Sequence, residues 1–332
     1  EYNRLPFGLK NGSQSFMRYL EIVLENLPVV IYIDDILVAT KTLEEHKALL
    51  KKVFDRLAEN NIKIQGPKCQ FAKSKVEFLG HELSYEGTSP LTSNIEAIDK
   101  IPIPETYKAL QRFLGGINYY RRFIPNVANI LFPLTEILRT TKITKKDKRP
   151  LVLDKNQTNA FFKAKEALKN TTTLAHAPSE TSNITIKSDA SDVAIGATLE
   201  FDGRPIAFYS KRLSKTEEKY STYDKELLAA YLATRKFLPY VETNKLTLIV
   251  DHKPIVSAFH KKDQALSHRQ SRQLSFLAEY VDDIQHIDGI ENIMPDMLSR
   301  NINAIKIDTV DLTKIAECQL EDNSIKTVSY TH

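Results

Sequence analysis

Six acidic residues stand where their carboxylates could meet and bind metal. Four of them follow or interrupt apolar segments in the second half of the chain, and two are adjacent between apolar runs in the first half: Asp189, Glu226, Asp251 and Asp296, then Asp34 and Asp35. Hard divalent ions such as Mg²⁺ need carboxylate oxygens from separate elements, and two such ions about 4 Å apart promote phosphodiester chemistry. Any one of these acids alone is more simply a surface residue. Together, the four in the second half predict a metal-dependent phosphoryl-transfer site.

The elements around the second-half acids are predicted from hydrophobic periodicity. The pattern predicts three consecutive strands, at 184–188, 194–200 and 205–209, followed by a long helix at 217–238. Strands and helices then alternate: a strand at 246–250, a helix at 267–280, a strand at 283–287 and a short helix at 292–298. This order predicts a mixed sheet with helices packed on it. Asp189 and Asp251 follow strands directly, and Glu226 borders an apolar helix face, where an uncompensated charge is costly.

The first half is predicted to contain a hairpin that carries the acidic pair at its turn. Apolar strands flank Asp34 and Asp35, and a capping box from Thr42 to Glu45 begins an amphipathic helix. Two short strands are expected around 68–71 and 78–81. Residues 93–139 have a helical pattern interrupted by prolines, with Thr106 as a candidate N-cap.

Composition excludes several classes of protein. The 332 residues carry a net charge of +4, which alone is too small to predict a polyanionic partner. Two cysteines make neither a disulfide framework nor a zinc site. The longest apolar run, 27–33, is too short to span a membrane. The first residue is Glu1 and no leader follows, so we expect a fragment of a longer protein.

The motifs of the second half resemble the ribonuclease H domain of gypsy-type long-terminal-repeat retrotransposon Pol polyproteins. They are SDAS at 188–191, YDKELLA at 223–229, DHKP at 251–254 and NIMPDMLSR at 292–300, in the family's order. The resemblance implies that the four acids hold two Mg²⁺ ions, with Mn²⁺ as an alternative, one ion activating water and the other stabilising the leaving 3′ oxygen. Pro295 and Met297 replace alanines that are usual in the family.

Three motifs of the first half resemble the palm of the same family's reverse transcriptase: LPFGLKN at 5–11, YIDD at 32–35 and FLGH at 78–81. The resemblance implies that Asp34 and Asp35 are catalytic metal ligands of a polymerase. It also implies that four residues contact the nucleotide or the template–primer duplex: Phe7, Gly8, Tyr32 and Gly80. The family's third polymerase carboxylate lies upstream of this motif, so we expect DNA synthesis only from a longer parent.

Three further features keep alternative interpretations. His286 precedes the last helix and could assist proton transfer, although a lone histidine is more often structural. The basic run at 142–149 is either a solvated linker or a contact with backbone phosphates. The mixture of basic and aromatic residues at 119–123 suits a duplex-gripping face or a helix that buries its tyrosines.

The predicted fold class is a multidomain α/β and α+β protein. We expect the C-terminal part of a reverse transcriptase palm at 1–90, a helical thumb and connection at 91–150, a ribonuclease H domain with a mixed five-stranded sheet at 151–300, and a linker toward an integrase at 301–332. The predicted function is Mg²⁺-dependent hydrolysis of RNA in RNA–DNA hybrids. Expected partners are the hybrid, a template–primer duplex and other parts of the polyprotein. The expected location of the protein is the cytoplasm, including virus-like particles, with access to the nucleus. The alternative is a host-retained or decayed remnant that binds nucleic acid or protein without catalysis.

Overall fold

A computed structural model describes residues 8–141, 149–178, 181–260 and 266–287. The chain divides into two compact units. Unit 1 comprises residues 1–102 and 168–176, and unit 2 comprises residues 103–167 and 177–332. No helix among the described residues is long and apolar enough to cross a membrane.

Unit 1 combines helices with two small antiparallel sheets. Its elements are α1 (Gly12–Val23), β1 (Val29–Tyr32), β2 (Asp35–Val38), α2 (Leu43–Glu59), β3 (Lys75–Phe78), β4 (His81–Ser84), β5 (Gly87–Pro90) and α3 (Thr92–Asp99). The hairpin β1–β2 and the capping box of α2 are as predicted. Apolar residues of α1 and α2, among them Leu20 and Val53, form a core against which this hairpin packs.

Two strand predictions in unit 1 were wrong. No strand forms at 68–71, because Gly66 and Pro67 begin a 3₁₀ turn over Gly66–Lys68. The segment 78–81 is not one strand: Phe78 ends β3, His81 begins β4, and Leu79 and Gly80 form the turn between them. Leu79 and Gly80 have φ of +49° and +73° there, the backbone typical of a tight hairpin turn.

The segment 168–176 extends the second sheet of unit 1. Thr88 and Leu174 exchange backbone hydrogen bonds of 2.8 and 2.9 Å, and the Nε2 of His176 donates to the carbonyl of Ser84 at 2.6 Å. Gly87 makes this approach feasible, because a Cβ at that position would lie 2.0 Å from the carbonyl oxygen of Leu174. Its φ of +145° also favours glycine.

Unit 2 is built on a mixed five-stranded sheet, as predicted. Its strands are β6 (Asn183–Ala190), β7 (Ala194–Phe201), β8 (Arg204–Arg212), β9 (Lys245–Val250) and β10 (Asp283–His286). They lie in the order β10-β9-β6-β7-β8. The three strands β6, β9 and β10 are parallel, and β7 and β8 are antiparallel to their neighbours.

Helices surround this sheet: α4 (Tyr107–Tyr119), α5 (Val127–Thr140), α6 (Lys155–Lys169), α7 (Thr222–Lys236), α8 (Leu238–Val241), α9 (Lys253–His260) and α10 (His268–Tyr280). The single helix predicted at 217–238 is divided, because Ser221 caps the start of α7 and Pro239 lies in the first turn of α8. Helix α9 was not predicted. The predicted helix at 292–298 lies outside the described residues.

Helix α5 and the turn before it pack against the edge strand β8. Arg121 donates from Nη2 to the carbonyl of Ser210 at 3.0 Å, and the backbone N–H of Ala128 donates to the Ser210 hydroxyl at 3.0 Å. The Arg212 guanidinium stacks over the Phe132 ring at 4.0 Å. Residues from the predicted thumb and connection therefore cover a sheet edge of unit 2. The four domain limits themselves remain a prediction.

Candidate metal centre

Two of the predicted ligands meet because their strands are parallel neighbours. Strand β6 pairs with β9 so that Ser188 lies opposite Val250. Asp189 and Asp251 each follow these residues, and adjacent strands are about 4.8 Å apart. The carboxyl end of the sheet therefore brings the two acids together.

The third ligand comes from a helix that is buried on nearly every side. The long apolar stretch after Glu226 places α7 against β6 and β7 on one side and α10 on the other. Glu226 is only 3% exposed, and its Oε1 accepts a hydrogen bond of 3.2 Å from the backbone N–H of Ala190. This bond fixes the helix ligand to the residue that follows Asp189.

Asp189, Glu226 and Asp251 can each place one carboxylate oxygen within 4.8 Å of the others. Asp189 and Glu226 are buried and Asp251 is partly exposed, so the cluster opens on one side. Three carboxylates without sulfur or imidazole ligands suit Mg²⁺ or Mn²⁺ better than zinc. The donor set therefore fits the predicted metal. The fourth predicted ligand, Asp296, lies outside the described residues.

A neighbouring acid on α7, Asp224, has a structural role. It accepts hydrogen bonds from Ser221, Arg269 and Gln270 at 2.8 to 2.9 Å. Burial alone would raise the pKa of Asp224, but these bonds and the Arg269 charge hold it below its ordinary value. Because its oxygens are engaged by α10 and its own cap, Asp224 fixes the start of α7 rather than joining the cluster.

The sequence analysis missed one ion pair beside the cluster. Lys225 donates from Nζ to Asp192 Oδ1 at 2.8 Å, and Asp192 lies in the turn between β6 and β7. The hydrogen bond and charge of Lys225 hold the pKa of Asp192 below its ordinary value. A signal was present, because helical spacing places Lys225 on the same face as Leu228 and Ala229, which belong to the core.

His286 lies at the end of β10, next to the predicted ligand Asp251. Its Nε2 is 3.2 Å from the carbonyl oxygen of Asp251. A carbonyl only accepts, so Nε2 is the donor in this contact. The contact is with the ligand's backbone, and the predicted proton-transfer role of His286 remains a prediction.

The acidic pair of unit 1 lies on a solvent-exposed turn. Asp34 is in the turn, Asp35 begins β2, and Tyr32 pairs with Asp35 at the end of β1. The β-branched Ile33 between them has φ of +54°, a strained conformation of the kind that clusters at functional sites. No third carboxylate joins the pair among the described residues.

The other residues of unit 1 that were predicted to contact substrate also lie in turns or outside the described residues. Gly8 is exposed with φ of +89°, and Gly80 occupies the β3–β4 turn. Phe7 lies outside the described residues. The roles of all these residues therefore remain predictions.

Two family models match the chain. Residues 1–83 match "Reverse transcriptase (RNA-dependent DNA polymerase)", and residues 179–280 match "RNase H-like domain found in reverse transcriptase". The second match covers all three clustered carboxylates. The first covers Asp34 and Asp35.

Curated relatives match along nearly the whole chain. The chain is 35% identical over 334 residues to the retrovirus-related Pol polyprotein from transposon 297 of Drosophila melanogaster, and the match covers 100% of the chain and 30% of the relative. It is 31% identical over 339 residues to the transposon Tf2-3 polyprotein of Schizosaccharomyces pombe, with coverage of 99% and 24%. The chain therefore spans less than a third of the length of these relatives.

Solved structures share the fold. A foamy viral protease-reverse transcriptase in complex with an RNA/DNA hybrid has a TM-score of 0.76 and 25% identity, and the match covers 92% of this chain and 41% of that one. The foamy viral protease-reverse transcriptase dRH in complex with double-stranded DNA also has a TM-score of 0.76, with 26% identity and coverage of 86% and 50%. Sequence and structure comparisons thus indicate the same relationship.

Proposed function

Because this chain belongs to the reverse transcriptase and RNase H region of retrotransposon Pol polyproteins, we propose that unit 2 hydrolyses the RNA strand of RNA–DNA hybrids. The observation that carries the proposal is the approach of Asp189, Glu226 and Asp251 to within 4.8 Å of one another. Three acids from two strands and a helix have no evident structural reason to converge. A shared divalent cation supplies one.

The proposed cofactor is Mg²⁺, held by these three carboxylates and by Asp296. Two bound ions would supply a nucleophilic water at neutral pH and stabilise charge on the leaving oxygen. The chain's own contribution is to hold the ligands. The Ala190 N–H positions Glu226, and the parallel register of β6 and β9 positions the two aspartates.

His286 is the proposed proton-transfer group. Its hydrogen bond to the Asp251 carbonyl holds the imidazole beside the proposed site. In this position it could receive a proton from water or give one to the leaving oxygen. Discrimination of RNA from DNA would rest on the 2′-OH and the shape of the groove rather than on base edges.

For unit 1 we propose a polymerase role within a longer parent protein. The exposed turn with Asp34 and Asp35, and the strained Ile33 between two strands, support placement of two metal-binding carboxylates against a template–primer duplex. Because the chain spans only part of its relatives, polymerisation belongs to the proposal for the parent.

Cleavage of a labelled RNA–DNA hybrid by the purified chain in Mg²⁺ tests the proposed nuclease. Wild-type protein should cut the RNA strand, and Asp251→Asn should lower the rate more than about 100-fold, because losing a ligand disturbs the metal more than losing a supporting residue does. Asp202→Asn is a matched control, since Asp202 is exposed in the β7–β8 turn and tolerates the left-handed backbone as asparagine.

Two results would contradict the proposal. Wild-type chain that binds the hybrid without cutting it would favour the non-catalytic binding module. A rate for Asp251→Asn equal to that of Asp202→Asn, with matched circular dichroism, would remove Asp251 from the site.

A further inference from the structure

The lysine that precedes Glu226 has a buried side chain, but its ammonium group is paired with an exposed carboxylate. Lys225 is 7% exposed, and its stem lies on the α7 face that carries Leu228 and Ala229. Its Nζ lies 2.8 Å from Asp192, whose side chain is 97% exposed. Burying a lysine stem while its ammonium reaches a surface carboxylate fixes the direction of the side chain.

The partner of Lys225 belongs to the short turn that begins two residues after the predicted ligand Asp189. Asp192 lies three residues after Asp189, between β6 and β7. Ser191 holds the turn: its hydroxyl donates to the carbonyl of Ala194 at 3.0 Å and accepts from the N–H of Ala194 at 3.1 Å. A bond to Asp192 therefore constrains the end of the strand that carries Asp189.

Two consecutive residues of α7 reach this same turn. Glu226 accepts from the Ala190 N–H, and Lys225 donates to Asp192 on the other side of Ser191. Two attachment points resist both sliding and rotation of the helix relative to the strand, whereas one point resists only separation. The carboxylates of Asp189 and Glu226 repel each other without a cation, so a second attachment opposes their separation.

We propose that Lys225 is a positioning residue of the metal centre: its bond to Asp192 holds Glu226 in register with Asp189 for divalent-ion binding. The inference deepens the proposed function and rests on it for the identity of the site. Lys225 itself does not touch the reacting atoms.

Calorimetric titration of the purified chain with Mg²⁺ tests this role independently of catalysis. Lys225→Met keeps an apolar stem and removes the charge, and Asp192→Ala removes the exposed acceptor. Each should raise the Mg²⁺ dissociation constant about two- to fivefold, the range expected for a solvent-facing ion pair. The double variant should be no weaker than either single one, because both remove the same bond. Lys225→Arg should restore most of the affinity.

Hybrid cleavage supplies the second readout. The Mg²⁺ concentration for half-maximal rate should rise by the same factor, while the KM for the hybrid stays unchanged. Lys211→Met is the matched control, since Lys211 pairs with Glu217 at 2.9 Å in the same unit without contacting this turn. It should leave the Mg²⁺ affinity at the wild-type value.

The outcomes separate this inference from the proposed nuclease. Absence of cleavage by wild type would refute the proposed function, while the Mg²⁺ affinities would still decide the role of Lys225. Wild-type affinity in Asp192→Ala would overturn the inference, even if Lys225→Met bound more weakly or failed to fold. Equal weakening in both single variants would support it.

Discussion

Replacing Glu226 with glutamine should stabilise unit 2 in the absence of metal. Glutamine keeps the acceptor for the Ala190 N–H and removes one of three clustered charges. Two charges at the 4.8 Å limit of this cluster repel each other by about 3.5 kcal/mol at an effective dielectric constant of about 20. Water reaches the cluster beside the partly exposed Asp251, so we expect a net gain of about 1–3 kcal/mol.

The assay is unfolding of the wild type and Glu226→Gln in EDTA and in excess Mg²⁺. In EDTA the variant's transition for unit 2 should lie roughly 2–10 °C higher. In Mg²⁺ the wild type should gain stability, because the ion binds only the folded site, and the variant should gain much less. A variant that is less stable than wild type in EDTA, or equally stabilised by Mg²⁺, would refute the idea that the three acids form a charge-strained metal site.

Three other predictions concern residues that are not proposed to bind the metal. Gly87→Ala should destabilise unit 1 by about 1–3 kcal/mol, measured by urea unfolding, because its Cβ would collide with the carbonyl of Leu174; an unchanged midpoint would argue against that close approach. Asp224→Asn should have a lower free energy of unfolding than wild type at pH 7. Because folding lowers the pKa of Asp224, this difference in unfolding free energy should shrink as the pH falls below 3.8. A difference that stays constant from pH 7 to pH 3 would contradict this prediction. The last prediction concerns replacement of the basic residues Lys145, Lys146, Lys148 and Arg149 by neutral ones. If this run binds a duplex, the slope of log affinity for the hybrid against log salt concentration should become shallower by about 1 for each phosphate that the run neutralises in the wild type. An unchanged slope would identify a solvated segment.

The parts of the site predicted from sequence are those that depend on strand ends. A strand pattern followed by an acid is sufficient to place Asp189 and Asp251 at the carboxyl ends of strands, and parallel pairing of β6 with β9 then brings them together. The start of α2 was also predictable, since its capping box is a local pattern that tertiary contacts did not override.

Other features depended on contacts that the sequence pattern does not contain. Helix α9 has only eight residues and closely follows Asp251, so its periodicity is too short to recognise. The turn at Leu79 and Gly80 was mistaken for a strand because its apolar residues hide the positive φ angles. The bond between Lys225 and Asp192 joins residues 33 positions apart, and only the packing of α7 on the β6–β7 turn creates it.

The most direct test of the metal centre is anomalous scattering from crystals of the chain soaked in Mn²⁺. We expect a peak bound at about 2.1 Å by carboxylate oxygens of Asp189, Glu226 and Asp251, and loss of that peak in Glu226→Gln. The contrary result is a crystal at saturating Mn²⁺ in which the three carboxylates are clustered but no peak lies between them. That result would contradict the central claim that these acids hold a catalytic cation.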